Sequence, residues 1–485
     1  MKSNKIPLSE NVKNYLNNLH GEEWTESFGK FIFEPSNDYL RVNLERTTKD
    51  SLKQNLLDGY GIELTDVEGI DCALQVVKDS ERNIGKTIEH ITGDYYIQSL
   101  ASMMPPLVLD AGEEDRVLDL CAAPGSKTTM ISEGMKHKGS LVANEIQHNR
   151  VGILSYNIER MKAFNAAIIK MPGEQISSFY PEFFDKVLVD APCSGLGIIQ
   201  KKGEVSNWWN ADLVKKLSYM QQKLAISGLK CLKPGGTLLY STCTLTTEEN
   251  EEIINYLLDN YPVEVEQVTI PLKQKNGIVS FGEKNLSDEV SKSVRIDPIE
   301  SGTEGFFLAK IIKRDSMEKE HKPKKRLEAN KFKHNASIEL AQKHITELFG
   351  IPAEVLNEYS YIERMLDIYL VSKNWDGGFY TQHHKLGLKI GTLDKYGNFI
   401  AHTNLVQIFD KYIMRNVYEC SSMEEIKAYL DGGIIRNSEI TQKRGQAAIK
   451  YRGRILGTGV FIDGGLKSRF PRSFRTQAIT MANAD

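Results

Sequence analysis

Between Ile88 and Lys313 short apolar runs alternate with longer amphipathic ones, and no other feature of the chain restricts its fold as much. Short apolar runs bounded by turns read as buried strands and amphipathic stretches as helices; their regular alternation marks a parallel, layered sheet. RVLDLCAA (Arg116 to Ala123) is the first strand. After a turn at Pro124 and Gly125 a helix begins near Ser126, whose hydroxyl is suited to cap it. SLVANE (Ser140 to Glu145) is the second strand, followed by a helix from about His148 to Met161. AAIIK (Ala166 to Lys170) and DKVLVDAP (Asp185 to Pro192) supply strands three and four. A long helix after Asp212 is terminated by LKPGG (Leu232 to Gly236), and TLLYSTC (Thr237 to Cys243) is a fifth strand running out to a polar tip. A late β-hairpin ends in GFFLAKIIK (Gly305 to Lys313).

The chain has 485 residues, more than one hydrophobic core normally serves, so further units are expected. Residues 1–90 read as a small α+β accessory domain, 91–313 as the layered core, 314–335 as a basic linker and 336–384 as a helical connection. Residues 385–478 read as a small β-barrel, because GLKIGTLDKYGNFIA (Gly387 to Ala401) and AAIKYRGRILGTGVFIDGGLK (Ala447 to Lys467) alternate and carry glycine turns. MKSNKIPLSENVKNYLNNL at the amino terminus has neither a continuous apolar core nor a small-residue cleavage site, and no segment approaches a membrane span, so a cytoplasmic protein without membrane attachment is expected. The six cysteines (Cys72, Cys121, Cys193, Cys231, Cys243 and Cys420) show no CxxC pair and no histidine at ligand spacing, which argues against a disulfide framework and against a metal site. A monomer is expected.

In an open parallel sheet, ligands bind at the carboxyl ends of the strands where strand order reverses. Strand one delivers Cys121, Ala122, Ala123, Pro124, Gly125, Ser126 and Lys127, a small-residue turn whose backbone amides, at a helix start, can receive an anionic group. Glu145 ends strand two, where a carboxylate can accept both ribose hydroxyl protons of an adenosine. The turn lacks GxGxxG, and with it the glycines that admit a pyrophosphate. Adenosine without pyrophosphate fits S-adenosylmethionine: ribose on Glu145, adenine against apolar strand ends, and the methionyl carboxylate over the helix amides with Lys127 nearby.

Strand four ends in Asp190-Ala191-Pro192-Cys193-Ser194-Gly195 and strand five in Ser241-Thr242-Cys243-Thr244, so two thiols are expected at adjacent tips. Carbon 5 of cytosine is too weak a nucleophile to take a methyl group from a sulfonium. Addition of a thiolate to carbon 6 makes the ring enamine-like, dividing one hard step into easier ones. Asp190 is placed to hydrogen-bond the cytosine edge and stabilise the protonated ring, and at its strand tip it is also expected among the cofactor-binding residues. The Cys72, Cys121, Cys231 and Cys420 thiols read as packing.

CAAPGSK, ANE, DAPCSG, LKPGGTLLYSTCTL and EEN (Glu248 to Asn250) resemble the motif series of the Sun/Fmu-type RNA cytosine-5 methyltransferases. The resemblance also takes in RVNLE (Arg41 to Glu45), ITGDYYIQSLASMMPP (Ile91 to Pro106) and GTEGFFLAKI (Gly302 to Ile311), thus most of residues 36 to 313. It implies a Rossmann-like S-adenosylmethionine-dependent fold of α/β class, with Cys243 as nucleophile and Cys193 assisting product release. Two positions depart from the pattern: Met171-Pro172-Gly173 replaces an Asp after strand three, and Gln200-Lys201 an Arg after the DAPCSG loop. The tail is similar to the PUA-like carboxyl domain of bacterial 16S ribosomal RNA methyltransferases, which implies 16S rRNA or the small subunit as partner.

A net charge of −3 means that an RNA partner must be met by local basic patches. Lys443, Arg444, Arg452, Arg454, Lys467, Arg469 and Arg472, interleaved with Tyr451, Phe461, Phe470 and Phe474, are the candidate RNA-binding residues. The alternative is a solvated basic face with its aromatics in the barrel core. Lys322, Lys324, Lys325 and Arg326 read as linker charge. A tRNA, 23S rRNA or DNA cytosine stays open as target, as does a non-catalytic RNA-binding assembly factor.

Overall fold

In the computed structural model, which describes residues 6–81, 83–317, 335–376 and 383–475, five parallel strands form the centre of one sheet. They are β1 (Arg116–Asp119), β2 (Ser140–Asn144), β3 (Ala166–Ile169), β4 (Phe184–Asp190) and β5 (Leu232–Thr242), in the order β3-β2-β1-β4-β5. Their alternate residues feed two cores. Val117, Leu141, Leu188 and Leu239 pack with α1 (Leu100–Leu109), α2 (Ser126–Gly134) and α3 (His148–Arg160) on one face. Leu118, Val142, Val189 and Leu238 pack with α4 (Ala211–Cys231) and α5 (Glu251–Asn260) on the other. Burial on both faces is why these strands are nearly continuous apolar runs. β6 (Val263–Glu266), β7 (Gln274–Asn276), β8 (Val294–Ile296) and β9 (Phe306–Lys313) extend the sheet antiparallel beyond β5. Strand order reverses between β1 and β4, so their carboxyl tips border the crevice in which ligands bind in such sheets.

Two local expectations change. Gly125, not Ser126, caps α2; it sits at φ +105°, where a Cβ would be strained and only 3.1 Å from Leu154 Cδ1. LKPGG ends α4 but is itself the start of β5, pairing Leu232 with Phe184 before the register shifts.

Ahead of the core, helices Glu10–His20 and Glu22–Phe31 precede a four-stranded sheet of Tyr39–Val42, Glu63–Asp66, Ala73–Lys78 and Tyr95–Ile97, backed by helix Lys49–Tyr60. This sheet therefore reaches past residue 90, the expected domain limit. Fully buried Arg41 ties it to α2, donating to Gln98 Oε1 (2.5 Å), the Ser126 carbonyl (2.6 Å), Thr129 Oγ1 (2.8 Å) and Glu133 Oε1 (3.0 Å). These four bonds, with the Tyr96 ring centre 5.1 Å from the guanidinium carbon, offset the cost of burying the charge, although Nε itself has no hydrogen-bond partner among the described residues.

Among its described residues the stretch 336–384, expected to be helical, is helical over Ala336–Phe349 and Ala353–Leu356 only. Tyr359–Arg364 and Asp367–Ser372 pair as a hairpin and share a four-stranded sheet with Leu388–Leu393 and Phe399–Ala401. Tyr361, Ile368 and Leu370 are buried in its core, and Ile368 and Leu370 show the period of two, a pattern too short to separate from a helix by sequence alone. The segments expected in one barrel thus fall in two sheets. The second has five strands: Val417–Glu419, Gln446–Tyr451, Arg454–Ile462, Gly465–Ser468 and Ile434–Ile435. The expected boundary at 385 also falls within the core, because β10 (Lys385–Leu386) pairs antiparallel with β3 before Gly387, at φ +66°, turns the chain away. The basic residues Lys322, Lys324, Lys325 and Arg326 lie outside the described residues.

Candidate active site

β4 and β5 lie side by side in parallel, with Asp190 opposite Ser241, so the loops after them emerge together. Cys193 Sγ and Cys243 Sγ approach to 3.2 Å, both partly exposed and both free thiols. The contact with Cys243, reinforced by burial, pushes the Cys193 thiol well above its ordinary pKa, so it keeps its proton. The two loops are fastened to each other. Gly197 donates its amide to the Cys243 carbonyl (3.0 Å), and Ser194 Oγ meets Thr244 Oγ1 at 2.8 Å. Glu249, fully buried, accepts from the Ser194 amide (2.8 Å), the Ser194 hydroxyl, Thr246 Oγ1 (2.7 Å) and Gln221 Nε2 (2.8 Å). Asn250 accepts from Thr242 Oγ1 (2.5 Å) and donates to the Thr244 carbonyl (3.1 Å). The EEN motif therefore fixes the spacing of the thiols.

Asp190 accepts from Ser241 Oγ (2.8 Å) and from Lys127 Nζ (2.7 Å). Burial opposes the Lys127 charge, but the Asp190 carboxylate outweighs it and raises the lysine pKa. This joins the tips of β1, β4 and β5 in one charged cluster. Glu145, 4% exposed, accepts from the Gln147 amide (2.8 Å) and pairs with Arg150 (3.3 Å), which also donates to the Ala123 carbonyl. Asn157 Nδ2 donates to the Pro124 carbonyl (2.9 Å), holding the turn that Cys121 to Lys127 form. Below it, Asp119 is buried and accepts from Thr128 Oγ1 (2.6 Å); burial raises its carboxyl to about 7.

The donor set suits an adenosyl group: a carboxylate at the tip of β2, a turn of small residues at a helix start, and an apolar segment after β3. There Met171 is buried and donates its amide to Asn144 Oδ1 (3.2 Å), and Gly173 begins a 3-10 turn against Leu120. The departure from an acidic residue at this place thus leaves an apolar wall. At the other departure, Gln200 donates to the Phe31 carbonyl (3.2 Å) and Lys201 pairs with Glu304 (3.1 Å).

A family model described as 16S rRNA methyltransferase RsmB/F matches residues 106–312. A ribosomal RNA small subunit methyltransferase F from Vibrio atlanticus is 33% identical over 92% of this chain and 93% of its own length. The chain belongs to the RsmB/F family. A tRNA (cytosine(49)-C(5))-methyltransferase from Pyrococcus abyssi is 35% identical over 60% of this chain and 92% of its own length. A solved methyltransferase homolog from Pyrococcus horikoshii is 31% identical, with a TM-score of 0.56 over 62% of this chain and 93% of that one.

As a member of the RsmB/F family the protein is an RNA methyltransferase, and the core sheet has the Rossmann-like methyltransferase fold. Its C-terminal basic residues divide into two kinds. Lys443, Arg444, Arg452, Lys467, Arg469 and Arg472 are exposed. Arg454 is not free for RNA: it pairs with buried Asp94 and lies against Thr92. Phe470 and Phe474, expected as stacking surfaces, are each 1% exposed and belong to the core of the five-stranded sheet, because the chain after the last strand folds back over it. Asp119, Arg150, Asn157 and Glu249 carry roles here that their sequence positions did not single out. Asp119 did leave a signal, a lone acid inside an apolar strand, and Glu249 lay in a motif of the resemblance without a role.

Proposed function

We propose that this member of the RsmB/F family transfers a methyl group from S-adenosylmethionine to carbon 5 of a cytosine in 16S rRNA, with Cys243 as covalent nucleophile. The observation that carries the reading is the 3.2 Å contact of Cys193 and Cys243 beside the Lys127–Asp190 pair. Relatives named for small-subunit rRNA and for tRNA cytosine-5 methylation support the target class, and the 92% coverage by the former favours 16S rRNA.

S-adenosylmethionine, when bound, supplies an electrophilic methyl carbon; Cys121 to Lys127, Glu145 and the apolar wall at Met171 would hold it. The chain's own residues do the rest. Cys243 loses its proton to solvent, and the thiolate adds to carbon 6 of the cytosine; the carbon 5–carbon 6 double bond opens and carbon 5 becomes nucleophilic. Asp190, paired with Lys127, hydrogen-bonds the cytosine edge and stabilises positive charge on the ring. Once carbon 5 is methylated, loss of its proton to solvent re-forms the double bond and expels Cys243 as a thiolate. The protonated Cys193 thiol, already in contact, hydrogen-bonds that leaving group. A cytosine inside a stacked helix cannot reach the crevice, so the base must be unpaired or swung out.

The exposed basic residues of the C-terminal, PUA-like region would hold flanking RNA phosphates. Arg452 borders a cleft of about 650 Å³ shared with Arg46, Ser51 and Lys411. We also propose a cytoplasmic location, where an rRNA substrate is met, and a monomeric state; separately, among the described residues no helix is long and apolar enough to cross a membrane. Site-resolved mapping of 5-methylcytosine in cells with and without the gene tests the reading. Loss of one site in 16S rRNA is expected; an unchanged 16S map would refute that target, and a site lost in tRNA or 23S rRNA would replace it.

A further inference from the structure

Trp208 and Trp209 are adjacent and differ sharply in exposure. Trp209 is 3% exposed and donates its indole N–H to Ser194 Oγ (3.2 Å), one residue from Cys193. Trp208, its neighbour in the chain, is 45% exposed, a large apolar ring in solvent. A tryptophan so placed has no stabilising role in the core. Helix α4 follows at once. Because β4 ends at the site and β5 starts at the opposite edge, α4 must start on the site side and run away from it. Its exposed face carries Lys215, Lys216, Tyr219 and Lys223 at helical spacing, with Tyr219 61% exposed and Lys223 Nζ 4.2 Å from the centre of its ring. Lys202 is exposed in the loop before it.

The charge of this surface runs against that of the molecule. From Lys201 to Lys223 there are five lysines against Glu204 and Asp212, in a chain whose net charge is −3. Of the five, Lys201 is paired with Glu304, while among the described residues no carboxylate pairs with Lys202, Lys215 or Lys216. Unpaired lysines interleaved with exposed aromatic rings are what a single nucleic-acid strand requires: cations along the phosphates and flat apolar faces for bases.

We propose that Lys202, Trp208, Lys215, Lys216, Tyr219 and Lys223 form the docking surface for the single-stranded RNA that flanks the target cytosine. The inference rests on the RNA-methyltransferase reading and adds where the strand lies as it leaves the crevice. Bases next to the extruded cytosine lose their stacking partners, and Trp208 replaces them within one residue of the Trp209 anchor. The lysines on α4 continue the path over about 12 Å, the rise of eight residues.

The test uses the full-length protein with Lys215→Glu/Lys216→Glu, Trp208→Ala and, as control, Lys230→Glu. Lys230 is exposed near the far end of the same helix, about 20 Å from Lys216. With unmodified, in vitro-transcribed 16S rRNA, the first two variants should raise KM for RNA about tenfold or more with kcat within about twofold, while Lys230→Glu changes neither. Binding of a fluorescent, mixed-sequence single-stranded RNA should weaken in parallel, and its salt-dependence slope should fall by about 1.4 in the double-lysine variant, about 0.7 for each phosphate no longer neutralised. Wild-type activity with unchanged KM and slope in the variants would overturn the docking surface and leave the activity standing. Equal loss in Lys230→Glu would also overturn it, as a general charge effect. If the wild type does not methylate the transcript, the target reading fails, and the fluorescent strand still decides the surface: unaltered affinity refutes it.

Discussion

The sulfur of Cys193 lies 3.2 Å from that of Cys243, although fifty residues of chain separate them. At that distance the two thiols serve one substrate atom in turn, and their replacement should give opposite phenotypes. Cys243→Ala removes the nucleophile and should abolish both methyl transfer and any covalent RNA complex. Cys193→Ala leaves attack intact and removes the hydrogen bond to the leaving thiolate, so a covalent protein–RNA adduct should accumulate on denaturing gels. An adduct trapped by the Cys243 variant instead would exchange the roles.

Glu249 sets that spacing from beneath. Its four donors, two of them on Ser194, converge on this one carboxylate. Glu249→Ala leaves the Ser194 amide and the Thr246 hydroxyl buried without an acceptor, while the Ser194 hydroxyl keeps Thr244 and Gln221 keeps the Pro192 carbonyl; two such groups at roughly 1–3 kcal/mol each give a loss of about 3 kcal/mol in stability. Glu249→Gln keeps the shape but presents an NH2 to donors. For it we expect a smaller fall in Tm and kcat reduced about tenfold or more with KM for RNA nearly unchanged, since an error in thiol placement acts on the reacting geometry rather than on docking. A proportional rise in KM would show instead that the loop binds RNA.

The sequence made the five core strands and the two thiol-bearing tips legible because these features are local: strand periodicity, and a cysteine shortly past each apolar run. What it hid depends on contacts across the fold. The Glu249 network joins α4, the β4 loop and the β5 loop, and nothing in the triplet EEN announces a partner at Ser194. Arg41, the one charged residue of the strand Tyr39–Val42, gives no sign of burial until Gln98, Ser126, Thr129 and Glu133 surround it. Residues 359–372 carry apolar residues at intervals that serve a helix or a hairpin, and pairing with Leu388–Leu393 decides for the hairpin. Phe470 and Phe474 fit a stacking surface in one dimension and a core in three.

Asp119 gives the protein a defined pH response. Burial raises its folded-state carboxyl from 3.8 to about 7. Between these values the folded state holds a proton that the unfolded chain has released, so stability falls as pH rises through this window, by about 1.4 kcal/mol per unit at most. Asp119→Asn keeps an acceptor for Thr128 and removes the titration. The stability of the variant relative to wild type should therefore increase steadily from about pH 4 to about 7 in denaturant titrations. Parallel stability curves for the two proteins would show that Asp119 is ionised throughout.

Arg452 and Arg454, two residues apart, should separate binding from folding. Arg454 pairs with Asp94, which is 1% exposed and also 3.4 Å from Arg46 Nε. Arg454→Ala strips a buried carboxylate of its nearer partner and should cost about 3 kcal/mol, near the low end for breaking a buried pair because Arg46 remains. Arg452→Ala, exposed, should leave the Tm within about 1 °C while weakening RNA binding. Equal Tm values for the two variants would return Arg454 to the RNA-binding surface.

The edge of the core sheet yields the last expectation. β3 is entirely buried, and its outer side is covered by β10, with Lys385 opposite Ile168 and Leu386 opposite Ala167. The segment after the Asp367–Ser372 strand is tied down as well: Trp375 Nε1 donates to the Asn165 carbonyl (3.1 Å), the Asp376 amide to Ser140 Oγ (2.6 Å), and Arg116 pairs with Asp376 (2.9 Å). A chain cut after residue 317 would keep every thiol and carboxylate of the site but expose Ala166-Ala167-Ile168-Ile169 as an apolar edge with unpaired backbone groups. Such an edge pairs with another copy. Residues 1–317 should therefore elute as large oligomers or precipitate on expression, with little transfer activity. A soluble, monomeric and active fragment would mean that β3 needs no cover and that the C-terminal region contributes to RNA contact alone.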